Sequence, residues 1–139
     1  LNVVVLDCSA ALCWCFSDEA TPASDRLLAH VEAYGAIVPP LFLLEVANVL
    51  LQAERRRRID PGASEALIRR LKTLPITVEP DVSSLAGLVD LARMEHLTVY
   101  DAAYLDVALR SGRPLASKDR DLLAAARRRG VAIFLLSDT

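Results

Sequence analysis

The sequence predicts an α/β fold in which helices cover both faces of a central parallel sheet of about five strands, a three-layer α/β/α arrangement. Three observations carry this expectation. Short β-type runs alternate with longer stretches of helical period, the order that crossover connections between parallel strands produce. The first run, VVVL (3–6), is apolar throughout, as a buried strand is. Proline and glycine punctuation falls between the two kinds of segment.

The expected strands are VVVL (3–6), AIV (36–38), ITV (76–78), PLA (114–116) and VAIFLL (131–136), each a short β-forming run. The first two helices are expected over 9–16 and 22–34, and the third over 40–57. Pro39 and Pro40 follow a strand and suit the first turn of that third helix, where a missing N–H does no harm. Ile59-Asp60-Pro61-Gly62 separates it from a helix over 61–73. After ITV, helices are expected over 82–95 and 100–111, the second ending at Ser111-Gly112-Arg113 before Pro114. A last helix over 119–129 stops at Gly130, ahead of the final strand.

A chain of 139 residues and 15.1 kDa has the size of one domain, spanning 1–139. With 53% hydrophobic residues and a mean hydropathy of +0.32, either the core is large or apolar surface is reserved for a partner, so oligomerisation is the expectation. No apolar run approaches the ~18 residues of a membrane span and no basic segment precedes the first apolar run, which predicts a cytoplasmic chain without membrane contact. Cys8, Cys13 and Cys15 crowd together with no histidine nearby, and their odd number argues against a disulfide framework; they read as small buried hydrophobes.

The net charge of −2 conceals alternating blocks. Residues 1–50 hold six acids against Arg26, 51–72 seven bases against three acids, 73–106 six acids against Arg93, and 107–139 seven bases against three acids. This excludes a uniformly basic nucleic-acid binder and leaves basic patches around an acidic centre.

In open parallel sheets, ligands bind beyond the carboxyl ends of the strands. Asp7 closes the first strand, Glu45 lies early in the helix after the second, Asp101 opens the helix of TVYDAAYLDVALR, and Asp119 follows the fourth strand, with Asp121 two residues on. Burying an unpaired carboxylate at Asp7 costs several kcal/mol, about 2–7 even for a neutral polar group, so it needs a partner or a ligand. Glu45 is the one charge in PPLFLLEVANVLLQA (39–53), where it shares a stripe with Asn48 and Gln52. That stripe is either a thin solvated face or one side of a site. Asp101 and Asp119 are equally suited to capping helices. Four carboxylates in one cleft would repel unless a divalent cation sat among them, and an all-oxygen donor set favours Mg²⁺ or Mn²⁺ over zinc. His30 and His96 read as surface residues of helices without a chemical role.

The segments LDCSAALCWCFSDEAT (6–21), PPLFLLEVANVLLQAERR (39–56), LTVYDAAYLDVALRSGRPLAS (97–117) and SKDRDLL (117–123), in this order and spacing, resemble the PIN-domain ribonucleases, and among them the VapC toxins of bacterial toxin–antitoxin pairs. The resemblance implies a PIN-like three-layer fold and a catalytic, metal-holding set of Asp7, Glu45, Asp101 and Asp119, with Ser9, Asn48 and Ser117 orienting ligands or water and Asp121 as a supporting acid. Ser117 stands where the family usually has threonine, which keeps the hydroxyl. The implied activity is Mg²⁺- or Mn²⁺-dependent endoribonuclease cleavage. The implied partners are an RNA substrate, a cognate antitoxin covering the site, and a second copy in a homodimer.

Arg55 and Arg56, in the run Arg55 to Arg58, are either a solvated helix end or contacts to RNA or a partner, and Arg127 to Arg129 pose the same alternatives. Trp14 and Phe16 read as core or dimer-interface residues in preference to base-stacking platforms. Two enzyme-like rivals fit less well. A haloacid-dehalogenase-type phosphatase wants a second aspartate two residues after the first, and Ser9 occupies that place. A receiver domain wants a phospho-acceptor aspartate after the middle strand, where ITVEPD offers only Glu79 and Asp81. A PIN-like scaffold that binds RNA or protein without cutting is the non-enzymatic alternative.

Overall fold

The computed structural model describes residues 2–81 and 83–136. Its elements in chain order are β1 (Val4–Leu6), α1 (Cys8–Cys15), a 3-10 turn at Ser17–Glu19, α2 (Pro22–Tyr34), β2 (Ala36–Val38), α3 (Leu41–Arg55), α4 (Pro61–Thr73), β3 (Ile76–Val78), α5 (Leu85–Glu95), α6 (Val99–Ser111), β4 (Leu115–Ala116) and α7 (Arg120–Arg128). The strands form a parallel sheet in the order β3-β2-β1-β4, flanked by the seven helices. This is the expected α/β architecture with four strands among the described residues in place of about five.

The missing strand is 131–136, which touches the sheet through a single parallel bridge between Leu115 and Ile133. In a parallel ladder, alternate residues face opposite neighbours. Pro114 and Ala116 give their carbonyls to Val5 and Asp7 of the β1 side, leaving Leu115 alone to donate to the Ala132 carbonyl and accept from Phe134 N–H. Arg113 and Ser117, next in that alternation, lie outside β4, so the ladder stops after one residue. β-forming composition was sufficient on the VAIFLL side; the partner strand was too short.

Val4, Val5 and Leu6 are fully buried, as a central strand covered on both faces requires. The core gathers around them from Leu27 and Val31 of α2, Phe42, Val46 and Leu50 of α3, Tyr104 and Leu105 of α6, and Leu122, Ala125 and Ala126 of α7. At the entry to β2, Gly35 has φ +90 and an added Cβ would sit 3.1 Å from the Pro75 carbonyl, so only glycine fits without strain. Cys8 and Cys13 are buried, Cys15 is half-buried and all three are free thiols. Phe16 is core, and Trp14 is half-buried with its indole N–H donating to Ser24 O at 2.9 Å. His30 packs against Tyr34 and Phe134, and His96 stands in the left-handed conformation that ends α5. No helix among the described residues is long and apolar enough to cross a membrane.

Helix ends moved where local chemistry fixes them. The helix expected from 82 starts at Leu85 because the Ser84 hydroxyl caps it, accepting from Gly87 N–H; position 82 itself lies outside the described residues. The helix expected to reach 57 ends at Arg55, since Arg57 takes φ +57 and Arg58 turns back onto the Phe16 ring, 3.9 Å from its centroid, to pair with Asp18 and Glu19.

The buried Asp106 was not anticipated. It accepts from both the N–H and the hydroxyl of Ser83 and from Arg110 Nε at 3.0 Å, and Arg110 also donates to the Asp81 carbonyl, fastening the β3–α5 connection to α6. Asp106→Ala strands these donors and is expected to cost about 3 kcal/mol, or roughly 10 °C in thermal midpoint, read by calorimetry. A loss near zero would show that solvent replaces the carboxylate without penalty.

Candidate active site

Asp7 follows β1 with its N–H on the Ala116 carbonyl, and its own carbonyl accepts from the N–H groups of Ala10 and Ala11 in α1. It occupies the N-cap position, yet its carboxylate makes no cap hydrogen bond. Instead, Ser9 Oγ and Ser117 Oγ each donate to Asp7 Oδ2 at 2.7 Å. A hydroxyl has one proton. With both protons committed to Asp7, each serine oxygen accepts from the loop after β4: Lys118 N–H to Ser9 at 3.0 Å and Asp119 N–H to Ser117 at 3.0 Å. The two hydroxyls therefore tie the end of β1 to the end of β4 and fix the Asp7 rotamer. Serine in place of threonine at position 117 performs this with no added methyl.

Asp119 caps α7, its Oδ1 accepting from Leu122 N–H at 2.9 Å. The capping alternative thus holds for Asp119. For Asp101 the cap is Thr98, whose hydroxyl accepts Asp101 N–H at 3.1 Å, leaving Asp101 in the third position of α6. Glu45 is half-buried on α3 and accepts from the Tyr104 hydroxyl at 2.5 Å. Tyr104 is fully buried, and this bond is its route to satisfying the hydroxyl. Sequence reasoning passed over Tyr104, although D-A-A-Y places it three residues after Asp101 and so on the same side of the helix.

The four acids act on one another electrostatically. Burial raises the pKa of Asp7, with Asp119 adding to it and the Ser117 and Ser9 hydroxyls opposing it. Burial also raises Glu45, with Asp7 and Asp101 adding to it and Tyr104 opposing it. Asp101 is pushed up to about 6 by burial and then by Asp119 and Asp7, against the Thr98 hydrogen bond. Every charged group among these causes is a carboxylate; no lysine or arginine among the described residues relieves the three.

A hard divalent cation suits that donor set: oxygen only, anionic and lacking a counter-charge. Among the described residues, no three carboxylate, thiol or imidazole side chains stand close enough to grip one ion as they are placed. Asp7 and Glu45 are turned to hydroxyls and Asp119 to a helix end, so the match lies in chemistry and charge. The other named residues sit further out. The Asn48 side chain is exposed and hydrogen-bonds to none of the described residues, and Asp121 is exposed, the smallest contributor to Asp101. Arg55 and Arg56 are exposed at the far end of α3, about 15 Å along the helix from Glu45. Of the later arginine run, Arg128 and Arg129 pair with Glu95 at 2.8 and 2.7 Å. An apolar groove of about 420 Å³ between α3, α4 and the edge strand β3, lined by Phe42, Val46, Leu50, Leu71, Ile76 and Val78, contains none of the acids.

Comparison with known proteins returns the same reading. The PIN domain family model matches residues 4–128. The protein named "Exonuclease VapC9" of Pyrobaculum aerophilum is 31% identical over 104 residues, covering 74% of each chain. The crystal structure of PAE2754, also from Pyrobaculum aerophilum, superposes with a TM-score of 0.70 at 27% identity, covering 90% of this chain and 86% of that one. A parallel sheet with acids at its carboxyl edge, the family match across nearly the whole length and this relative lead to one assignment: the chain belongs to the PIN domain family and is a homologue of the VapC nucleases.

Proposed function

We propose that this chain is a Mg²⁺- or Mn²⁺-dependent endoribonuclease of the VapC toxin type, with Asp7, Glu45, Asp101 and Asp119 as its catalytic, metal-holding carboxylates. The observation that supports the reading most is their electrostatic coupling at one sheet edge, in which no lysine or arginine among the described residues takes part. Bound there, a Mg²⁺ or Mn²⁺ ion would supply an activated water for in-line attack on an RNA phosphodiester and offset the charge on the departing 3′ oxygen. The chain's own work is positioning. Ser9 and Ser117 hold Asp7, Tyr104 holds Glu45, Thr98 holds Asp101, and the α7 N-terminus holds Asp119. In this reading Asn48, one turn beyond Glu45, and Asp121 orient water or ligands from further out, and Arg55 and Arg56, exposed at the far end of α3, meet RNA phosphates away from the cut. The phosphatase alternative is disfavoured because the position its acid/base would occupy is Ser9, already committed to Asp7.

Partners complete the proposal: a cognate antitoxin that covers the site, and a second copy in a homodimer. Leu43, Leu44 and Leu51 of α3 are exposed, and Leu43 borders the apolar groove, surface that supports such contacts.

The test is cleavage of mixed RNA by antitoxin-free protein with Mg²⁺ or Mn²⁺, EDTA being the control. Activity that EDTA abolishes supports the reading; inactivity with both metals supports the binding-module alternative. Because the relative carries the name exonuclease, a closed circular RNA separates the modes, since only an endonuclease opens it. Ser117 offers a finer check. Ser117→Ala is expected to lower kcat/KM by about 10–100-fold, as losses of residues supporting metal ligands do, while Ser117→Thr stays within about threefold of wild type. Equal rates for Ala and Thr would remove the hydroxyl from the account.

A further inference from the structure

RNA is negative at every phosphate, so an acidic cleft holds it only where cations flank the acids. Several arginines are engaged elsewhere: Arg58 with Asp18 and Glu19, Arg93 with Asp90, Arg110 with Asp106, and Arg128 and Arg129 with Glu95. Lys118 and Arg127 differ. Both are exposed, neither pairs with an acid among the described residues, and they line one hollow of about 170 Å³. Its apolar floor comes from Leu123, Ile133, Phe134 and Leu136. The Phe134 ring is held edge-on against His30, 5.1 Å between centroids.

The hollow adjoins the acids. Ser117 belongs to its wall and donates to Asp7 Oδ2 at 2.7 Å, so it begins one hydrogen bond from the candidate centre. Segment 131–136 runs parallel to β4 at the Leu115–Ile133 bridge, which brings residues 134–136 to the carboxyl edge of the sheet where Asp7 ends β1. Sheet order puts it on the β4 flank of that edge, whereas α3 with Arg55 and Arg56 follows β2 on the other flank.

We infer that this hollow is a subsite for one nucleotide of single-stranded RNA next to the scissile phosphate, with Lys118 and Arg127 meeting its phosphate and the apolar floor its base. Charge complementarity selects the occupant: two unpaired cations over an apolar floor, beside acids that repel the same strand, suit a nucleotide's anionic and planar halves. The inference rests on the ribonuclease reading and deepens it.

The experiment measures binding of a labelled single-stranded oligoribonucleotide in EDTA, and Mg²⁺-dependent cleavage of it, across a potassium chloride series. The proteins compared are wild type, Lys118→Ala/Arg127→Ala, Lys118→Arg/Arg127→Lys, and Arg69→Ala/Arg93→Ala, which removes equal charge elsewhere. Each lost phosphate contact lowers the slope of log affinity against log salt by about 0.7 for single strands. The expected result for the alanine pair, which loses the one phosphate the two cations share, is a slope smaller by about 0.7 and a KM raised about tenfold with kcat within about twofold, restored by the conservative pair and absent from the charge control. Wild-type slope and KM in the alanine pair, with wild type active, would overturn the subsite alone and leave the hollow to a protein partner. Wild type that neither binds nor cleaves RNA would overturn the ribonuclease reading and the subsite together.

Discussion

Asp7→Asn is expected to abolish Mg²⁺-dependent RNA cleavage, with kcat/KM falling at least a hundredfold. Losing a residue that merely supports a metal ligand costs about 10–100-fold, and a ligand itself must exceed that range. The substitution isolates charge from shape. Asparagine keeps an oxygen that can accept from Ser9 and Ser117, so the tie between β1 and β4 survives. Because Asp7 is 5% exposed and burial raises its pKa, the neutral side chain is also expected to leave the metal-free thermal midpoint unchanged or higher. Lower activity combined with equal or greater stability is a signature that a purely structural aspartate would not give. Retention of wild-type cleavage would refute the site assignment.

The second large effect is on stability. Asp101 has a folded-state pKa of about 6 against an ordinary 3.8, and Asp7 and Glu45 shift in the same direction. Between those values the folded chain holds a proton that the unfolded chain has released, so stability falls as pH rises through the window and stays lowered above it. In EDTA, the thermal midpoint is therefore expected to decline from pH 4 toward pH 6.5, and Asp101→Asn is expected to flatten the decline. A divalent ion needs the same carboxylates deprotonated, so its benefit appears as the proton's is lost. At about one hundred times its dissociation constant an ion adds about 2.7 kcal/mol, close to 8 °C here, at pH 7 and little at pH 4.5. A Mn²⁺-induced shift of equal size at both pH values would place the ion away from these acids.

Much of this was legible because it is local. Buried β runs, proline at helix starts and glycine at helix ends located the elements to within a few residues, and the sheet's carboxyl edge follows from parallel topology. The alternation of strand and helix thereby puts Asp7 and Asp119 at the ends of the first and fourth strands, while that these two strands are neighbours is shown by the sheet order β3-β2-β1-β4. What escaped depends on partners remote in sequence. VAIFLL is strand-like in composition, but its pairing is limited by β4, which is two residues long. Tyr104 reads as core until Glu45, 59 residues away, is seen to take its hydroxyl bond. Arginine runs are ambiguous in sequence because each member's fate is set by partners elsewhere: Glu95 engages Arg128 and Arg129, Asp18 and Glu19 engage Arg58, and Arg127 lines the hollow that Ser117 also borders. Asp119 shows that a cap and a member of the acid cluster can be the same residue, since one oxygen serves the helix while the charge still reaches Asp101 and Asp7.

The central claim is that these carboxylates serve metal-dependent hydrolysis of RNA, and the chemistry of the cut ends tests it most directly. Purified chain, free of partner, is incubated with end-labelled and circular single-stranded RNA in Mg²⁺, in Mn²⁺ and in EDTA, and the fragment termini are identified by mass. In-line attack by water with departure of the 3′ oxygen predicts 5′-phosphate and 3′-hydroxyl ends, opening of the circle, and no products in EDTA. Cleavage that persists in EDTA and leaves 2′,3′-cyclic phosphates would contradict the account, because it would identify the RNA's own 2′-hydroxyl as the nucleophile and leave the acid cluster without that role.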